Sequence, residues 1–409
     1  MEMKLKQKDF IYYYLLFICI VNLQFLMFAD FTNIFNVFTA GSSVLLAFVC
    51  WYAKPINKRI KPYTKFINAF IFLFFSYYFI ETLYGLVFSD IGILEYAKRL
   101  LPFLYILLVY PFVYLISDKN YREKLLNSIV ILSVISLIMK TIVWWSFNYR
   151  EIDLMHYVLF EENNVWQRNG LIRIRSSSFD ALVISLSLRN YFFNRKNKLL
   201  SVLIIAFLLW YANYVMQSRA LLVSIAATIF FTLTFRKTVG WKKCVTIIFL
   251  TIVAVVILQS RSFNEFVNSF DLSTYSTNIR LQGFKFYINK VKNHVLLGLI
   301  PLNTYESIKE GNWRYYISDL GMISKFFEYG IIGFIIFNIP FIRNMYLNIR
   351  KFKGKNIISL SMGGFILLCS YLSNDVYITK FILALPILIA WTEVAYKENL
   401  QDKNIKIRR

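Results

Sequence analysis

Long apolar stretches separated by short polar intervals make up most of this sequence. Stretches of about 17–25 apolar residues are long enough to cross a bilayer as a helix, and lipid leaves the backbone few other ways to satisfy its hydrogen bonds. The pattern therefore predicts an all-α, polytopic integral membrane protein with about 12 transmembrane helices. The predicted spans are residues 11–29, 34–53, 66–88, 100–117, 125–145, 177–193, 199–216, 220–236, 242–260, 321–342, 357–374 and 378–396.

The polar intervals between the spans differ in charge and in length. Lysine and arginine concentrate in alternate intervals, such as "KPINKRIKPYTK" (54–65) and "RNMYLNIRKFKGK" (343–355), and at both ends of the chain. Because basic residues in short loops mark the cytoplasmic side, both termini are predicted to be cytoplasmic. The first span is interpreted as an anchor, since no small-residue cleavage site follows it. The two longest intervals, 146–176 and 261–320, then lie on the outer side of a single membrane domain, 1–409.

The large positive charge of the chain is compatible with this predicted topology. The chain has 46 Lys and Arg against 23 Asp and Glu, a net charge of +23. In a soluble protein this excess would suggest nucleic acid, but here membrane topology accounts for it, so no nucleic-acid partner is predicted. Four cysteines without a CxxC pair and only two histidines favour neither a disulfide framework nor a zinc site. We expect no metal and no other cofactor.

The larger outer interval contains one amphipathic segment, predicted to be a helix over 280–297. Its apolar residues recur at spacings of three and four, and Gly298 follows as a predicted stop. The apolar stripe has two interpretations: it lies in the membrane interface, or it packs on the roof of the bundle. The stripe residues are Leu281, Phe284, Ile288, Val291 and Val295.

Several arginines lie on the predicted outer side, against the usual charge distribution. The sharpest case is Arg219, because Ser218 is predicted to cap the next helix and Arg219 then lies in its first turn. A guanidinium beside free helix amides is a seat for an anion such as phosphate. The alternative is an arginine that reaches lipid headgroups. The other outer arginines considered for phosphate binding are Arg173, Arg175, Arg280 and Arg314.

Other charged residues lie close to the predicted span ends. Four basic residues are interpreted as reaching the membrane surface with their long side chains. Glu81 and Asp180 lie in the outer halves of their spans, where they pair with outer arginines or take part in function. The four basic residues are Lys140, Arg189, Lys325 and Lys380.

The second half of the chain resembles a known family. "QSRALLVSI" (217–225), the large outer interval with "NHVLLG" (293–298), and "YYISDLGMISKFFEYGIIGFIIF" (315–337) follow in an order that is similar to the superfamily of O-antigen polymerases and O-antigen ligases. The resemblance covers about residues 199–340 in detail and the whole chain in span number and loop placement. The "DLG" form is more like the polymerases, because the His-Asn pair of the ligases is missing.

The resemblance implies a membrane glycosyltransferase that acts at the outer face of a bacterial cytoplasmic (inner) membrane. Such a polymerase transfers a glycan from a polyprenyl pyrophosphate carrier to a carrier-linked repeat unit, in O-antigen or capsule biosynthesis. Its expected partners are that carrier-linked oligosaccharide, membrane lipid and a protein that regulates chain length. Arg219 and Arg280 match the arginines held to grip the pyrophosphate. The alternatives are a ligase that transfers polymer to a lipid A core and a lipid-linked oligosaccharide flippase or transporter.

The transfer needs charge neutralisation at the departing pyrophosphate and a base for the acceptor hydroxyl. Arginines can neutralise the charge without a metal, and the expected transfer is inverting and metal-independent. Asp319 is the first candidate base, because it opens the helix beside the large loop, and Glu328 is the second. An acid at a helix start that interacts with the helix dipole is the alternative for Asp319. Aromatic side chains suited to stacking on a sugar are Trp313, Tyr315, Tyr316 and Trp166.

Overall fold

The protein is almost entirely helical in a computed structural model. The structure describes residues 2–23, 29–88, 92–150, 152, 166–168, 171–193, 197–235, 275–300, 317–352, 356–372, 376–378, 381–407. The helices are α1 (Glu2–Asn22), α2 (Ala29–Tyr52), α3 (Lys54–Ile60), α4 (Lys65–Phe88), α5 (Ile93–Leu104), α6 (Val109–Ile116), α7 (Lys119–Arg150), α8 (Asp180–Phe193), α9 (Lys198–Trp210), α10 (Arg219–Phe235), α11 (Tyr275–Val291), α12 (Ser324–Leu347), α13 (Ile357–Leu372) and α14 (Ala384–Ile407).

Six helical segments in the described residues are long and apolar enough to cross a membrane, and two more apolar helices are shorter. This confirms an all-α membrane protein. The predicted ninth span, 242–260, lies outside the described residues. The six are Ile34–Tyr52, Lys65–Phe88, Ile93–Ile116, Lys119–Arg150, Lys198–Val215 and Leu320–Phe352, and the shorter two are Arg219–Phe235 and Ile357–Leu372.

The helices bury small polar residues and expose large apolar ones, as a bundle in lipid does. Phe72 and Val87 on α4 are 75% and 73% exposed, whereas Ser133 and Ser136 on α7 are buried. Small residues let helices approach closely, and their hydroxyls bond across or along helices. Ser133 Oγ donates to Ser177 Oγ at 2.7 Å. The apolar periphery is therefore the surface that lipid would cover.

Ion pairs gather the predicted cytoplasmic intervals at one end of the bundle. Lys8 and Arg59 both contact Asp118, at 2.6 and 3.0 Å, and Glu398 on α14 holds Arg122. Arg189, predicted to reach the membrane surface, instead forms a pair with Glu123 at 2.7 Å. Burial would raise the pKa of Asp118, but Lys8, the Asn120 amide and Arg59 outweigh it and hold that pKa below its ordinary value.

A short hairpin lies at the opposite end of the bundle. Strands β1 (Trp166–Arg168) and β2 (Leu171–Arg173) pair antiparallel, with Trp166 opposite Arg173. α7 continues to Arg150, past the predicted loop start at 146, and its last turns hold β2. Trp144 Nε1 donates to Ile172 O at 2.9 Å, and the Ile172 amide donates to Asn148 Oδ1 at 3.0 Å. The hairpin is therefore tied to the end of a long helix.

The amphipathic segment forms α11, which starts and ends earlier than the predicted 280–297. Its inner face packs on Phe327 of α12 through Phe284, Tyr287 and Val291, whereas Leu281 is exposed. Of the predicted stripe, Phe284 and Val291 therefore pack on the bundle, whereas Leu281, Ile288 and Val295 are exposed. Burial, together with the nearby Glu328 carboxylate, raises the pKa of Tyr287 to about 12.

The segment that follows α11 packs against a break in α12. Gly330 has φ +62°, and a Cβ there would overlap the carbonyl of Leu296. The break leaves backbone groups for partners outside the helix. The Leu299 amide donates to Phe327 O at 2.9 Å, and the Ile331 amide donates to Val295 O at 2.8 Å. Backbone hydrogen bonds thus join the large outer interval to a spanning helix.

Candidate functional site

The turn that carries Arg219 has the geometry expected of a helix start. A π-helical turn, Tyr211–Val215, ends α9, and Gln217 adopts φ +49° before α10 begins. The Leu221 amide donates to Ser218 Oγ at 3.3 Å, which confirms the predicted cap. Arg219 is the first residue of α10 and is half-buried. Its guanidinium therefore adds to the partial positive charge of a helix start.

Strand β2 and the residues after it lie against this turn. The Ile174 amide donates to Val215 O at 3.1 Å, and Arg173 Nε donates to Met216 O at 3.0 Å. Tyr211 Oη donates to the carbonyl of Arg175 at 3.2 Å. The predicted phosphate ligands Arg173, Arg175 and Arg219 are therefore carried by two segments in direct contact. The sequence did not predict this contact, because the two segments lie far apart along the chain and meet only when it folds.

Lys140 of α7 also contacts the segment that follows strand β2. It is only 7% exposed, and its Nζ donates to the carbonyls of Arg175 and Ser176 at 3.3 and 3.4 Å. The prediction that Lys140 reaches the membrane surface is wrong, because the lysine lies on the inward face of its helix. Ser133 and Ser136 lie on that same buried face at spacings of three and four, a signal that the sequence did contain.

Two cavities lie on either side of a turn of three serines, Ser176–Ser178, which we call the serine turn. The smaller cavity, about 10 Å³, has a cationic wall formed by Lys140 and Arg175. The larger cavity, about 30 Å³, lies among α8, α10, α13 and the start of α14. Its lining residues are Ser176, Ser177, Ser178, Asp180, Ala181, Met216, Leu221, Phe365, Ile366, Cys369, Ser370, Val376, Phe381 and Ala384.

Asp180 is the acidic residue of the larger cavity. It begins α8, is 3% exposed, and interacts with Ser176, with the Ser177 backbone and with the charge of Lys140. Its Oδ1 has no hydrogen-bond partner among the described residues. A buried acceptor without a partner is costly in a folded protein, and such groups concentrate where a ligand or water completes the site.

Asp319 lies in a turn that contacts the same cavity wall. The backbone of Ile317–Ile323 forms a 3-10 turn in which Gly321 has φ +58°. Gly321 lies so close to the carbonyl of Ser370 that a Cβ would overlap it. Because Ser370 lines the larger cavity, the Asp319 turn contacts a wall of that cavity through Gly321. The structure describes the backbone of Asp319 and not its side chain.

The remaining predicted residues are apart from the two cavities or outside the described residues. Glu328 forms an ion pair with Lys325 at 2.5 Å and lines neither cavity as described, so the prediction that Lys325 reaches the membrane surface is wrong. Arg280 is exposed on α11. Glu81 is buried and contacts Tyr77, rather than an outer arginine, within the described residues. Arg314, Trp313, Tyr315, Tyr316 and Lys380 lie outside the described residues, as does the side chain of Trp166.

Neither a metal-binding cluster among the described residues nor a similar known protein identifies what this site binds. Within the described part of the chain, His, Cys, Asp and Glu side chains form no group of three that could hold a metal ion. No protein-family model matches the chain, and comparison with curated proteins gives no match.

Proposed function

We propose that this protein is a polysaccharide polymerase that transfers a glycan from a polyprenyl pyrophosphate carrier to a carrier-linked repeat unit. The observation that carries the proposal is the contact between two segments that carry Arg173, Arg175 and Arg219 at one end of an apolar bundle, with Arg175 lining the smaller cavity. A carrier of this kind has an anionic pyrophosphate at the membrane surface and a lipid chain in the bilayer. A cationic site that opens near the end of lipid-facing helices suits both parts.

Neutralisation of the leaving group is the main chemical task in this reaction. The acceptor hydroxyl attacks the anomeric carbon, and the pyrophosphate departs with the bonding electron pair. Guanidinium groups and the free amides at the start of α10 would stabilise its growing charge. Arg173 is positioned by its bond to Met216 O, three residues before Arg219. Donors held in place before the reaction need little reorganisation during it.

The proposal includes an inverting, metal-independent transfer at the outer face of a bacterial cytoplasmic membrane, with both termini in the cytoplasm. Its geometric support is that the ion pairs of the predicted cytoplasmic intervals and the arginine cluster lie at opposite ends of the bundle. Asp319 is a candidate base because its turn contacts Ser370 of the larger cavity. Glu328 is a weaker candidate, since its carboxylate is paired with Lys325 and does not line that cavity as described.

The test is a gel of surface polysaccharide from cells with wild-type protein, a gene deletion or Arg219→Ala, at matched membrane levels. We expect the ladder of repeat units to collapse to a single repeat in both mutants. Arg150→Ala is the matched control, because Arg150 ends α7 on the same predicted side and stacks on Trp145, 5.0 Å from the ring centroid. That control should keep the full ladder.

Other outcomes of this experiment would overturn the proposal. If deletion left full-length polymer on its carrier and none on the surface lipid, the protein would be a ligase. If deletion left undecorated surface lipid and repeat units trapped at the inner face, it would be a flippase. If the deletion ladder collapsed but Arg219→Ala kept it, Arg219 would be a headgroup anchor and the site assignment would be wrong.

A further inference from the structure

A third pocket, which we call the inner pocket, lies at the end of the bundle opposite the serine turn. It is enclosed by the end of α6, the start of α7, the end of α8, the start of α13 and the middle of α14. Its volume is about 550 Å³. Ligand pockets usually have about 300–1,000 Å³, so the inner pocket has room for a small molecule or for the head group of a lipid.

Two arginine–glutamate pairs line the inner pocket. Arg122 donates from Nε to Ile116 O at 2.6 Å and from both terminal nitrogens to the carboxylate of Glu398. Arg189 donates from its terminal nitrogens to the two oxygens of Glu123, at 2.7 and 3.1 Å. A guanidinium has five N–H groups and a carboxylate accepts about four hydrogen bonds. Within the described residues, both pairs therefore keep donors and acceptors for a ligand.

The wall behind these pairs is held in place by further polar contacts. The Arg122 guanidinium lies over the ring of Trp391, 5.7 Å from its centroid. Trp391 Nε1 donates to Asn356 Oδ1 at 3.1 Å, and the Ser359 amide donates to the same oxygen at 3.1 Å. Groups that are fixed before a ligand arrives lose little freedom when it binds, which favours affinity.

One wall of the inner pocket is built by an irregular helical turn. A π-helical turn, Asn348–Phe352, follows α12, and its last residue lines the pocket. Such turns occur frequently at functional sites. Asn348 is 2% exposed, and its Oδ1 has no hydrogen-bond partner among the residues that the structure describes. A buried acceptor of this kind lowers stability, so the turn is not explained by stability alone.

The charges around the inner pocket balance. Arg122 and Arg189 supply two positive charges, and Glu123 and Glu398 supply two negative ones, with no other charged residue in the described lining. An excess of basic residues would select an anionic lipid. In a balanced pocket, a simple ion must compete with a partner of its own sign. A ligand with both signs can instead place its anion on the arginines and its cation on the glutamates.

The inner pocket lies where the apolar helices end and lipid head groups begin. Its charged residues are near the start of α7, near the end of α8 and on the second half of α14. Phe193, the last residue of α8, lines the pocket and is 66% exposed. Leu199 and Leu200, at the start of α9, are exposed as well. Exposed apolar side chains at the ends of spans contact lipid, so the rim of the pocket reaches the lipid boundary.

We infer that the inner pocket binds a zwitterionic phospholipid, whose phosphate contacts Arg122 and Arg189 and whose ammonium contacts Glu123 and Glu398. Carboxylates bind a primary ammonium through its N–H donors, so the pocket should prefer phosphatidylethanolamine to phosphatidylcholine, whose nitrogen carries no hydrogen. Phe193 would contact the apolar part of the lipid. This inference is independent of the proposed glycosyl transfer, because it needs only the membrane and the geometry at this end of the bundle.

The test is native mass spectrometry of delipidated full-length protein. The probes are phosphatidylethanolamine, phosphatidylcholine and phosphatidylglycerol with identical acyl chains, and free O-phosphoethanolamine. We expect one tightly bound phosphatidylethanolamine per chain. The other two lipids should bind about 10–100-fold more weakly, because each lacks the hydrogen bonds between an ammonium and the carboxylates. Free O-phosphoethanolamine should also bind more weakly, since it lacks the apolar contacts.

Variants separate lipid recognition from a general loss of structure. Arg189→Gln should weaken phosphatidylethanolamine binding by about 10–100-fold, because it removes a phosphate ligand. Glu123→Gln gives the pocket a net positive charge and should shift its preference towards phosphatidylglycerol. Ala395→Phe should block binding by filling the pocket while all four charges remain. Arg59→Gln is the matched control, since Arg59 pairs with Asp118 at the same end and does not line the pocket as described.

Three results would overturn the inference, provided that thermal unfolding shows the variants to be folded. Equal binding of the three lipids would mean that lipid covers this surface without selection. Glu123→Gln that weakens every lipid equally would make the ion pair with Arg189 a structural support only. Free O-phosphoethanolamine that binds as tightly as the lipid would assign the pocket to a soluble ligand instead.

Discussion

The break at Gly330 allows a quantitative test of how the outer interval is held. An alanine there would have to adopt φ near +62° with ψ near −171°, at about 1–3 kcal/mol, and its Cβ would overlap the Leu296 carbonyl. Relief of that overlap requires the segment 295–299 to move away from α12. The movement would break the bonds from Leu299 to Phe327 and from Ile331 to Val295, each contributing about 0.5–1.5 kcal/mol. We therefore expect Gly330→Ala to lower the free energy of unfolding by about 2–6 kcal/mol.

The assay is thermal unfolding of detergent-purified protein, with Gly41→Ala as the matched control. Gly41 lies within α2 with open space around the position of a Cβ, so alanine there should be neutral or stabilising by up to about 1 kcal/mol. Protease susceptibility of the segment 292–300 should also rise in Gly330→Ala, because its anchor is lost. Equal unfolding temperatures for the two variants, with no added cleavage, would refute the backbone lock.

Two further predictions concern the cytoplasmic end. Arg343 forms an ion pair at 2.8 Å with Glu393, which is 3% exposed. Arg343→Met would leave that carboxylate buried without its partner, so it should lower the free energy of unfolding by about 3–5 kcal/mol. The double variant Arg343→Met with Glu393→Leu should recover most of this loss, as measured by thermal unfolding. No recovery would contradict this. Because the pKa of Asp118 is lowered from 3.8, its stabilisation is present above that pH and lost as the pH falls through the folded value. Asp118→Asn should therefore be less stable than wild type near pH 7, and the difference should shrink as the pH falls below about 3.8; a difference independent of pH would refute the argument.

Local features of the sequence predicted the helical class and the start of α10. Periods of apolar residues and the needs of a backbone in lipid act within one segment, so they can be recognised without the fold. The Ser218 cap joins residues three apart and was predictable for the same reason. The extent of α11 was not, because the predicted stripe continued to Val295 while the chain left the helix at Val291 to enter the break in α12.

The sequence alone therefore determined that this is a helical membrane protein with an arginine, Arg219, at a capped helix start. Only the tertiary structure decided that Arg173 lies against the turn before Arg219, that Lys140 turns inward, and that Asp180 lines a cavity. The physical reason is distance along the chain: Lys140 meets the carbonyl of Arg175, and Arg173 meets that of Met216, through contacts that exist only after helices pack. The constraints of lipid and of helix geometry apply within one segment, whereas the partner of an inward-facing charge depends on how all the helices pack.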